Sequence, residues 1–319
     1  MLSEFALSPA VFRTTSYESE GMADFCIRTL KQPFLEDCLV RNLHGGDWFK
    51  QLNEQRGSLP PMAKELIKKL KTQGRLIGHE PAGIKCPTTD EEWEIEAVLS
   101  SEQMSLRGMI FSKEAKNSRH RKNPFVACPE TLPSVNFWKE RPCSLRIPRG
   151  INEYCDLMLP LLRHASWIAF IDPHINPERK GYSDFIQLLT HPLLTERSSK
   201  PTIEIHRVAW LEDRKEKQPN KLPKFAEIET IFRDNWSAKL ERRGIKVEVF
   251  LWVDFHDRFV ASNLVSMTWS NGFDTTSESE ARVTVGRLSR ADQDDLQKEF
   301  AANSTRHGTP FRFKIGSLG

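Results

Sequence analysis

The sequence predicts an α/β protein whose C-terminal half is built around a mostly parallel, mixed sheet flanked by helices. The short, continuous apolar run at 166–173 is typical of a strand that is buried on both faces, and the next strand is predicted at 202–210. Apolar residues at spacings of three and four predict an amphipathic helix over 225–240, and a further strand is predicted at 245–253, where the sequence alternates and then becomes wholly apolar. Strands that alternate with helices in this way favour parallel pairing, with helices covering the sheet.

The first half of the chain is less regular. Apolar residues at helical spacing predict a helix over 62–73. Residues 93–111 mix the two-residue period of a strand with helical spacing, so their assignment is left open. The stretch 112–149 is polar, basic and rich in proline, and we interpret it as a connection. The sequence therefore predicts a mainly helical or mixed N-terminal domain of unknown role over 1–149, followed by the C-terminal domain over 150–319.

The C-terminal half also carries clear local signals. Asn152 can cap a helix ahead of the first apolar run, because its side chain can accept a hydrogen bond from a free backbone N–H. Two short strand-like runs follow at 258–262 and 265–269. Ser289 and Asp292 form a carboxylate variant of the capping box, which predicts the start of a last helix.

Composition narrows the classes of function. With 39% hydrophobic and 28% charged residues among 319, the chain can form packed cores. It has neither an apolar run long enough for a membrane span nor a secretion-type N-terminus, so we expect a cytoplasmic protein. The six cysteines form no CxxC pair and no zinc-like spacing, so we expect no metal and no cofactor. A net charge of +3 does not by itself indicate nucleic-acid binding, which needs a local patch.

The strongest functional signal is the segment DFHDRFVASN at 254–263. His256, Arg258 and Asn263 form the pattern H-x-R-x4-N. If this segment is a strand, His256 and Arg258 share one face, because side chains alternate across a strand. An imidazole and a fixed cation would then point at one spot. Ser270 follows at the end of the next predicted strand.

This pattern resembles the phospholipase D superfamily, whose motif is H-x-K-x4-D followed by small polar residues. The run FIDPHI at 170–175 is similar to the strand and exit turn that precede the motif in that family. Here Arg258 stands for the motif lysine, Asn263 for the aspartate and Ser270 with Asn271 for the usual Gly-Ser. The form H-D-R-F followed by G-F-D is more similar to a divergent branch, which includes bacterial defence-associated proteins and a membrane-binding domain believed to be non-catalytic.

The resemblance implies a metal-independent phosphodiesterase. His256 would attack phosphorus, and a second histidine would protonate the leaving oxygen. Arg258 would hold two non-bridging oxygens, while Asn263 or Ser270 would orient the imidazole or bind phosphate. Because one motif is present, catalysis would need a homodimer in which two copies of His256 face each other. The expected function is that of a nuclease, in bacterial antiviral defence or mobile-element biology.

The alternative is a catalytically degenerate binding or scaffold subunit of a larger nucleic-acid or defence complex. Arginine is bulkier than lysine and does not give up its proton, so Arg258 could preserve phosphate binding while reducing turnover. In either case nucleic acid is the expected partner. Further contacts to its backbone are predicted for four basic residues, namely Arg119, Arg121, Lys122 and Lys139.

Other polar residues have simpler interpretations. Asp172 and His174 follow the first apolar run, at a strand end where functional residues gather, but an aspartate before proline also forms turns. We favour the turn. His164 and His206 lie among apolar residues, and we interpret both as structural.

Overall fold

The computed structural model describes residues 1–211 and 222–316. The chain divides into two compact units, an N-terminal domain of Leu2–Pro142 and a C-terminal domain of Cys143–Gly319. Each unit contains a sheet and several helices, so the predicted α/β class is confirmed, and the N-terminal domain is of the mixed kind. Within the described residues, no helix has both the length and the apolar character that a membrane span requires.

The N-terminal domain, every residue of which is described, is a parallel α/β unit. Its strands are β1 Ser3–Leu7, β2 Cys38–Asn42, β3 Leu76–Gly78, β4 Gly108–Ile110 and β5 Val126–Ala127. Its helices are α1 Glu20–Glu36, α2 Asp47–Glu54, α3 Pro61–Thr72, α4 Asp90–Gln103, α5 Lys113–Ser118 and α6 Asn136–Lys139. The five strands pair in the order β3-β2-β1-β4-β5, so their carboxyl ends lie at one edge.

Local signals account for several of these elements. The helix predicted over 62–73 is α3, which buries the apolar residues that predicted it. The stretch 93–111, whose assignment was left open, mixes two periods because it contains most of α4 and then β4. A capping box begins α4: the Thr89 side chain accepts from the Glu92 N–H, and the Glu92 carboxylate accepts from the Thr89 N–H.

The interpretation of 112–149 as a connection is wrong. This stretch contains α5, β5 and α6 of the N-terminal domain, and the division between the two compact units follows Pro142. Its basic side chains misled the prediction because some of them pair with buried carboxylates. Arg141, for example, donates to Asp37 over 2.8 Å. A basic sequence can therefore belong to a packed domain when the opposing charges come from distant parts of the chain.

The C-terminal domain is built on one mixed sheet. Its strands are β6 Ser144–Pro148, β7 Trp167–Ile171, β8 Thr202–Val208, β9 Val247–Trp252, β10 Phe259–Ser262, β11 Met267–Trp269, β12 Arg282–Arg287 and β13 Phe311–Ile315. Its described helices are α7 Ile151–His164, α8 Phe185–Leu189, α9 Pro192–Thr195, α10 Phe225–Phe232, α11 Ala238–Glu241 and α12 Arg290–Glu299. The order of the strands is β13-β9-β8-β7-β10-β11-β12-β6.

The parallel part of this sheet is smaller than predicted. Only β7, β8 and β9 pair in parallel, and the five other pairs between the described strands are antiparallel. The alternation of strands and helices ends after β9, and short links such as that between β10 and β11 can join only antiparallel neighbours. The sequence also did not predict β6, β12 and β13, since few of their residues are buried.

The buried His206 on β8 has a defined neutral tautomer. Trp252 Nε1 donates to His206 Nδ1 over 3.1 Å, so His206 Nε2 carries the proton that lies towards Glu204, 3.2 Å away. The ring stacks on Phe250 with 4.5 Å between centroids. Burial lowers the pKa of His206, and the Glu204 carboxylate only partly opposes that effect. These contacts agree with a structural role.

We expect the C-terminal domain to lose stability as the pH falls below about 6.5, the pKa of an unfolded histidine. There the unfolded chain takes up a proton at His206, whereas the folded ring, with its lowered pKa, does not. A His206→Gln variant still offers Trp252 an acceptor. Its unfolding free energy, measured with urea between about pH 7 and about pH 5, should fall less steeply than that of the wild type. An unchanged slope would contradict this assignment, and His256→Gln, at an exposed imidazole, is the control.

Candidate functional site

The predicted motif does not lie on a strand. Residues 253–258 form an irregular segment between β9 and β10, so the expectation that His256 and Arg258 share a strand face is wrong. The His256 side chain is 77% exposed, and its Nε2 lies 3.9 Å from Oδ2 of Asp254. Asp257, the next residue, is exposed as well. Two carboxylate residues thus flank the imidazole in the chain, which disfavours the approach of a phosphodiester.

Arg258 points towards a buried carboxylate. Its side chain is 26% exposed, and its Nε lies 3.6 Å from Oδ1 of Asp172, which is completely buried. Its Nη1 also donates to the His256 carbonyl over 3.4 Å. The guanidinium therefore offsets an internal negative charge, and less of it is available to a substrate.

Asp172, at the carboxyl end of β7, is the centre of a network that we call the Asp172 network. Its Oδ2 accepts from the Tyr182 hydroxyl over 2.9 Å and from the Phe273 N–H over 3.0 Å, and its Oδ1 accepts from the His174 N–H over 3.0 Å. With Arg258, these groups surround the carboxylate. Burial, and then the adjacent Asp172 charge, raise the pKa of Tyr182, so its hydroxyl is a proton donor.

Glycine is required beside this network. A Cβ at Gly272 would lie 2.6 Å from the Tyr182 hydroxyl and 2.8 Å from Asp172 Oδ2. The strand-end aspartate in FIDP and the NGFD turn are therefore parts of one packed structure. The predicted turn at Asp172 is present, since its side chain bonds to the His174 N–H, but the residue also has long-range contacts.

Asn263 lies at the other end of β10. Its Oδ1 accepts from the backbone N–H groups of Ser166, over 2.8 Å, and Trp167, over 3.3 Å, at the start of β7. Because β10 runs antiparallel to β7, a strand length of about 13 Å separates Asn263 from the Asp172 end. The expectation that Asn263 joins His256 in one phosphate site is therefore wrong. Its side chain provides a hydrogen-bond acceptor for the backbone N–H groups where β7 begins.

Ser270 lies at the same end of the sheet as Arg258. The N–H of its neighbour Trp269 donates to the Arg258 carbonyl over 2.9 Å. The Ser270 Oγ accepts from the Thr284 N–H over 2.9 Å, so the hydroxyl already has a backbone partner. Among the four predicted residues, the structure brings Arg258 and Ser270 to one edge, leaves His256 exposed nearby and places Asn263 at the opposite edge.

A second group of charges lies at the amino ends of β8 and β9. We call it the basic face, and it consists of six exposed cations, namely Lys200, Lys239, Arg242, Arg243, Lys246 and Lys314. None of them forms an ion pair with a residue that the structure describes. Four of the six fall in the run KLERRGIK at 239–246, a local charge signal that the sequence reasoning missed.

Two clefts of about 380 Å³ each open on the basic face. One is lined by Lys239, Arg242 and Arg243 together with apolar and hydroxyl groups. The other includes Lys200, Lys246 and Lys314 among its lining residues. They adjoin, because the Lys200 Nζ donates to the carbonyls of Arg243, over 3.0 Å, and Gly244, over 3.1 Å.

Two acidic residues, Glu241 and Glu248, lie near the six cations of the basic face, and each has a polar partner. Glu248 lines the second cleft, but its Oε1 lies 3.8 Å from Arg312 Nη1. Glu241, in the same helix turn as Arg242, accepts from the Ser237 hydroxyl over 3.3 Å. The basic face is therefore a concentration of positive charge within a chain of nearly balanced composition.

The basic residues predicted in the N-terminal domain differ among themselves. Arg119 makes hydrogen bonds of 2.9–3.0 Å to both oxygens of the buried Glu94, and His120 Nε2 lies 3.2 Å from the same carboxylate. Arg119, whose own side chain is 39% exposed, is therefore held in an ion pair with a buried carboxylate, and its contact with nucleic acid stays a prediction. Arg121, Lys122 and Lys139 are exposed, and their contact with nucleic acid stays a prediction.

Comparisons with known proteins add little to this geometry. No protein-family model matches the chain, and no curated protein matches it. Among solved structures, it is similar to TrmBL2, an archaeal chromatin protein described as having a novel mode of DNA binding. The two share 10% identity over 76% of this chain and 80% of the other, with a TM-score of 0.29. A likeness at that TM-score establishes neither a shared fold nor a shared function.

Proposed function

We propose that the C-terminal domain binds the phosphate backbone of nucleic acid through the basic face. The observation that supports this most directly is the group of six exposed cations without ion-pair partners among the described residues, around two adjoining clefts. Cations that neutralise backbone phosphates release condensed counterions, and this release supplies most of the free energy of sequence-independent binding. Such contacts position a protein on nucleic acid without reading bases.

The sheet arranges part of this charge as a row. Lys200 precedes β8, Lys246 precedes β9 and Lys314 lies in β13, and these strands are adjacent in the order β8-β9-β13. Neighbouring strands lie about 4.8 Å apart, so the three ammonium groups follow one another across the sheet edge. A row of positive charges suits a polyanion that repeats its phosphates along a line.

In this proposal the resemblance to the phospholipase D superfamily marks a binding module that has lost turnover. Arg258 is directed at Asp172, and Asn263 lies at the far end of β10. The motif is at the carboxyl end of β7, whereas the basic face is at the amino ends of β8 and β9. Binding and the predicted chemistry would therefore occupy opposite edges of the sheet. Phosphodiesterase activity is the second candidate, because the exposed His256 could face the same residue of a second copy.

The double charge reversal Arg243→Glu with Lys246→Glu is expected to weaken nucleic-acid binding by about 10-fold to 100-fold near physiological salt. Each substitution removes a cation and adds an anion beside the phosphates. The slope of log affinity against log salt concentration should also become shallower, by about one for each lost phosphate contact. Fluorescence anisotropy with labelled single-stranded and double-stranded DNA and RNA, at several salt concentrations, measures both quantities.

The matched control is Arg290→Glu with Lys298→Glu on α12, which changes the net charge equally on another surface. Binding that falls equally in both double variants, or in neither, would contradict the basic face as the site. The same substrates incubated in EDTA with the wild type and with His256→Ala should stay intact. Cleavage by the wild type that disappears in His256→Ala would establish the second candidate instead.

A further inference from the structure

Three potential metal ligands converge in the N-terminal domain. His44, Asp47 and Cys86 each offer one ligand atom, and these atoms lie within 4.8 Å of one another. The expectation of no metal site came from sequence spacing, which could not detect this group because Cys86 is far from the other two in the chain. The proposed binding at the basic face does not involve these residues.

The turn after β2 places two of the ligands. His44, Gly45 and Gly46 have φ values of 52°, 63° and 108°, and the chain then enters α2 at Asp47. His44 is the one residue other than glycine with positive φ in the described chain. This left-handed path turns the backbone sharply at the carboxyl edge of the parallel sheet, where ligand sites of α/β domains form. It brings the imidazole and the carboxylate to one side.

The buried Glu96 connects this turn to the loop that carries Cys86. Its Oε1 lies 3.2 Å from His44 Nδ1 and accepts from the Ala82 N–H over 2.8 Å, while its Oε2 accepts from the Gly83 N–H over 2.7 Å. If Nδ1 carries the proton towards Glu96, the lone pair of His44 lies on Nε2. A carboxylate behind a histidine is the usual arrangement around protein metal ions, because it sets the tautomer and the ring orientation.

Cys86 completes the group from the other side. Its Sγ lies 3.2 Å from Asp47 Oδ2, and the residue is exposed. A second backbone contact holds its loop against the turn, since the Gly45 N–H donates to the His79 carbonyl over 2.8 Å. The three ligands are therefore brought together by the fold itself, with a buried imidazole inside and an accessible thiol outside.

We propose that His44, Asp47 and Cys86 bind one divalent transition-metal ion, with Zn²⁺ the best match to a nitrogen, oxygen and sulfur ligand set. On binding, the thiol proton is released to solvent and the thiolate sulfur bonds to the ion. Three protein ligands leave the fourth tetrahedral position to water or to an anionic ligand. The ion would also tie the 79–89 loop to the start of α2.

Titration of the full-length, chelator-treated protein with Co²⁺ tests this proposal. The expected result is one Co²⁺ per chain with a thiolate-to-cobalt charge-transfer absorption band, which Zn²⁺ then abolishes by displacement. Cys86→Ser should remove the band, and His44→Asn should weaken binding by at least about 100-fold, since asparagine tolerates positive φ but offers no imidazole. Glu96→Gln should keep the band and weaken binding about 10-fold to 100-fold.

Cys143→Ser is the matched control, because Cys143 is an exposed cysteine of the C-terminal domain. It should leave the stoichiometry, the affinity and the band unchanged. A band that persists in Cys86→Ser, or Co²⁺ affinity that is equal in His44→Asn and the wild type, would overturn the proposal. Circular dichroism of each variant without metal shows whether the fold is retained.

Discussion

Asp172→Ala is expected to lower the free energy of unfolding of the C-terminal domain by about 3–5 kcal/mol. The substitution removes the negative charge that lies beside the Arg258 guanidinium. It also removes the oxygen that accepts from the Tyr182 hydroxyl and from the Phe273 N–H. Buried donors without acceptors cost more than the lost bonds themselves contribute. Native-state hydrogen exchange followed by mass spectrometry measures this loss of stability in peptides from β7 and β10. Peptides from the N-terminal domain report separately on the stability of that domain.

The control for this variant is Asp172→Asn, which keeps an acceptor oxygen while removing the charge. It should lower the unfolding free energy less than Asp172→Ala does, because the amide oxygen can still accept from the Tyr182 hydroxyl and the Phe273 N–H. A loss below about 0.5 kcal/mol for Asp172→Ala, within the range of ordinary surface substitutions, would show that the network does not stabilise the domain.

Arg41→Leu is expected to destabilise the N-terminal domain by about 3–5 kcal/mol. Arg41 lies on β2 with a completely buried side chain, and its Nη2 is 3.1 Å from Glu4 Oε2. Its two terminal nitrogens also donate to the carbonyls of Ser100 and Met104, each over 2.6 Å, at the end of α4. Leucine removes the cation beside Glu4 and the arginine donor of those carbonyls. Hydrogen exchange in peptides from β1, β2 and α4 provides the measurement.

A double variant separates charge from packing. Arg41→Leu with Glu4→Leu removes both charges, so its unfolding free energy should recover part of the loss caused by Arg41→Leu alone. The two substitutions act independently if the double variant loses as much unfolding free energy as Arg41→Leu and Glu4→Leu lose together when each is measured alone. That result would mean that the loss of the ion pair between Arg41 and Glu4 is not the cause of the instability.

Sequence reasoning worked best where a signal was local and continuous. The strands β7, β8 and β9 bury most of their residues, and each was predicted from a short stretch of the chain that is rich in apolar residues. The last helix also begins as predicted, since the Ser289 side chain accepts from the Asp292 N–H. These features depend on residues close in sequence, and their chemistry is visible without knowing what packs against them.

The parallel sheet of the N-terminal domain could not be predicted in the same way. Its strands β3, β4 and β5 have only two or three residues, too few to show a period. Their pairing joins segments far apart in the chain, such as β1 with β4. Such pairing depends on the whole domain packing at once, and no local propensity encodes it.

The amino-acid sequence alone predicted the α/β class and the central strands of the C-terminal domain. It also singled out the segment around His256 and Arg258 as the strongest functional signal. Folding in three dimensions settled which of those side chains meet: it directed Arg258 to Asp172, moved Asn263 a strand length away and gathered His44, Asp47 and Cys86. The reason is the short range of hydrogen bonds and ligand bonds, which act over about 3 Å. Strand register and loop paths decide distances on that scale, and these arise from contacts between residues remote in the chain.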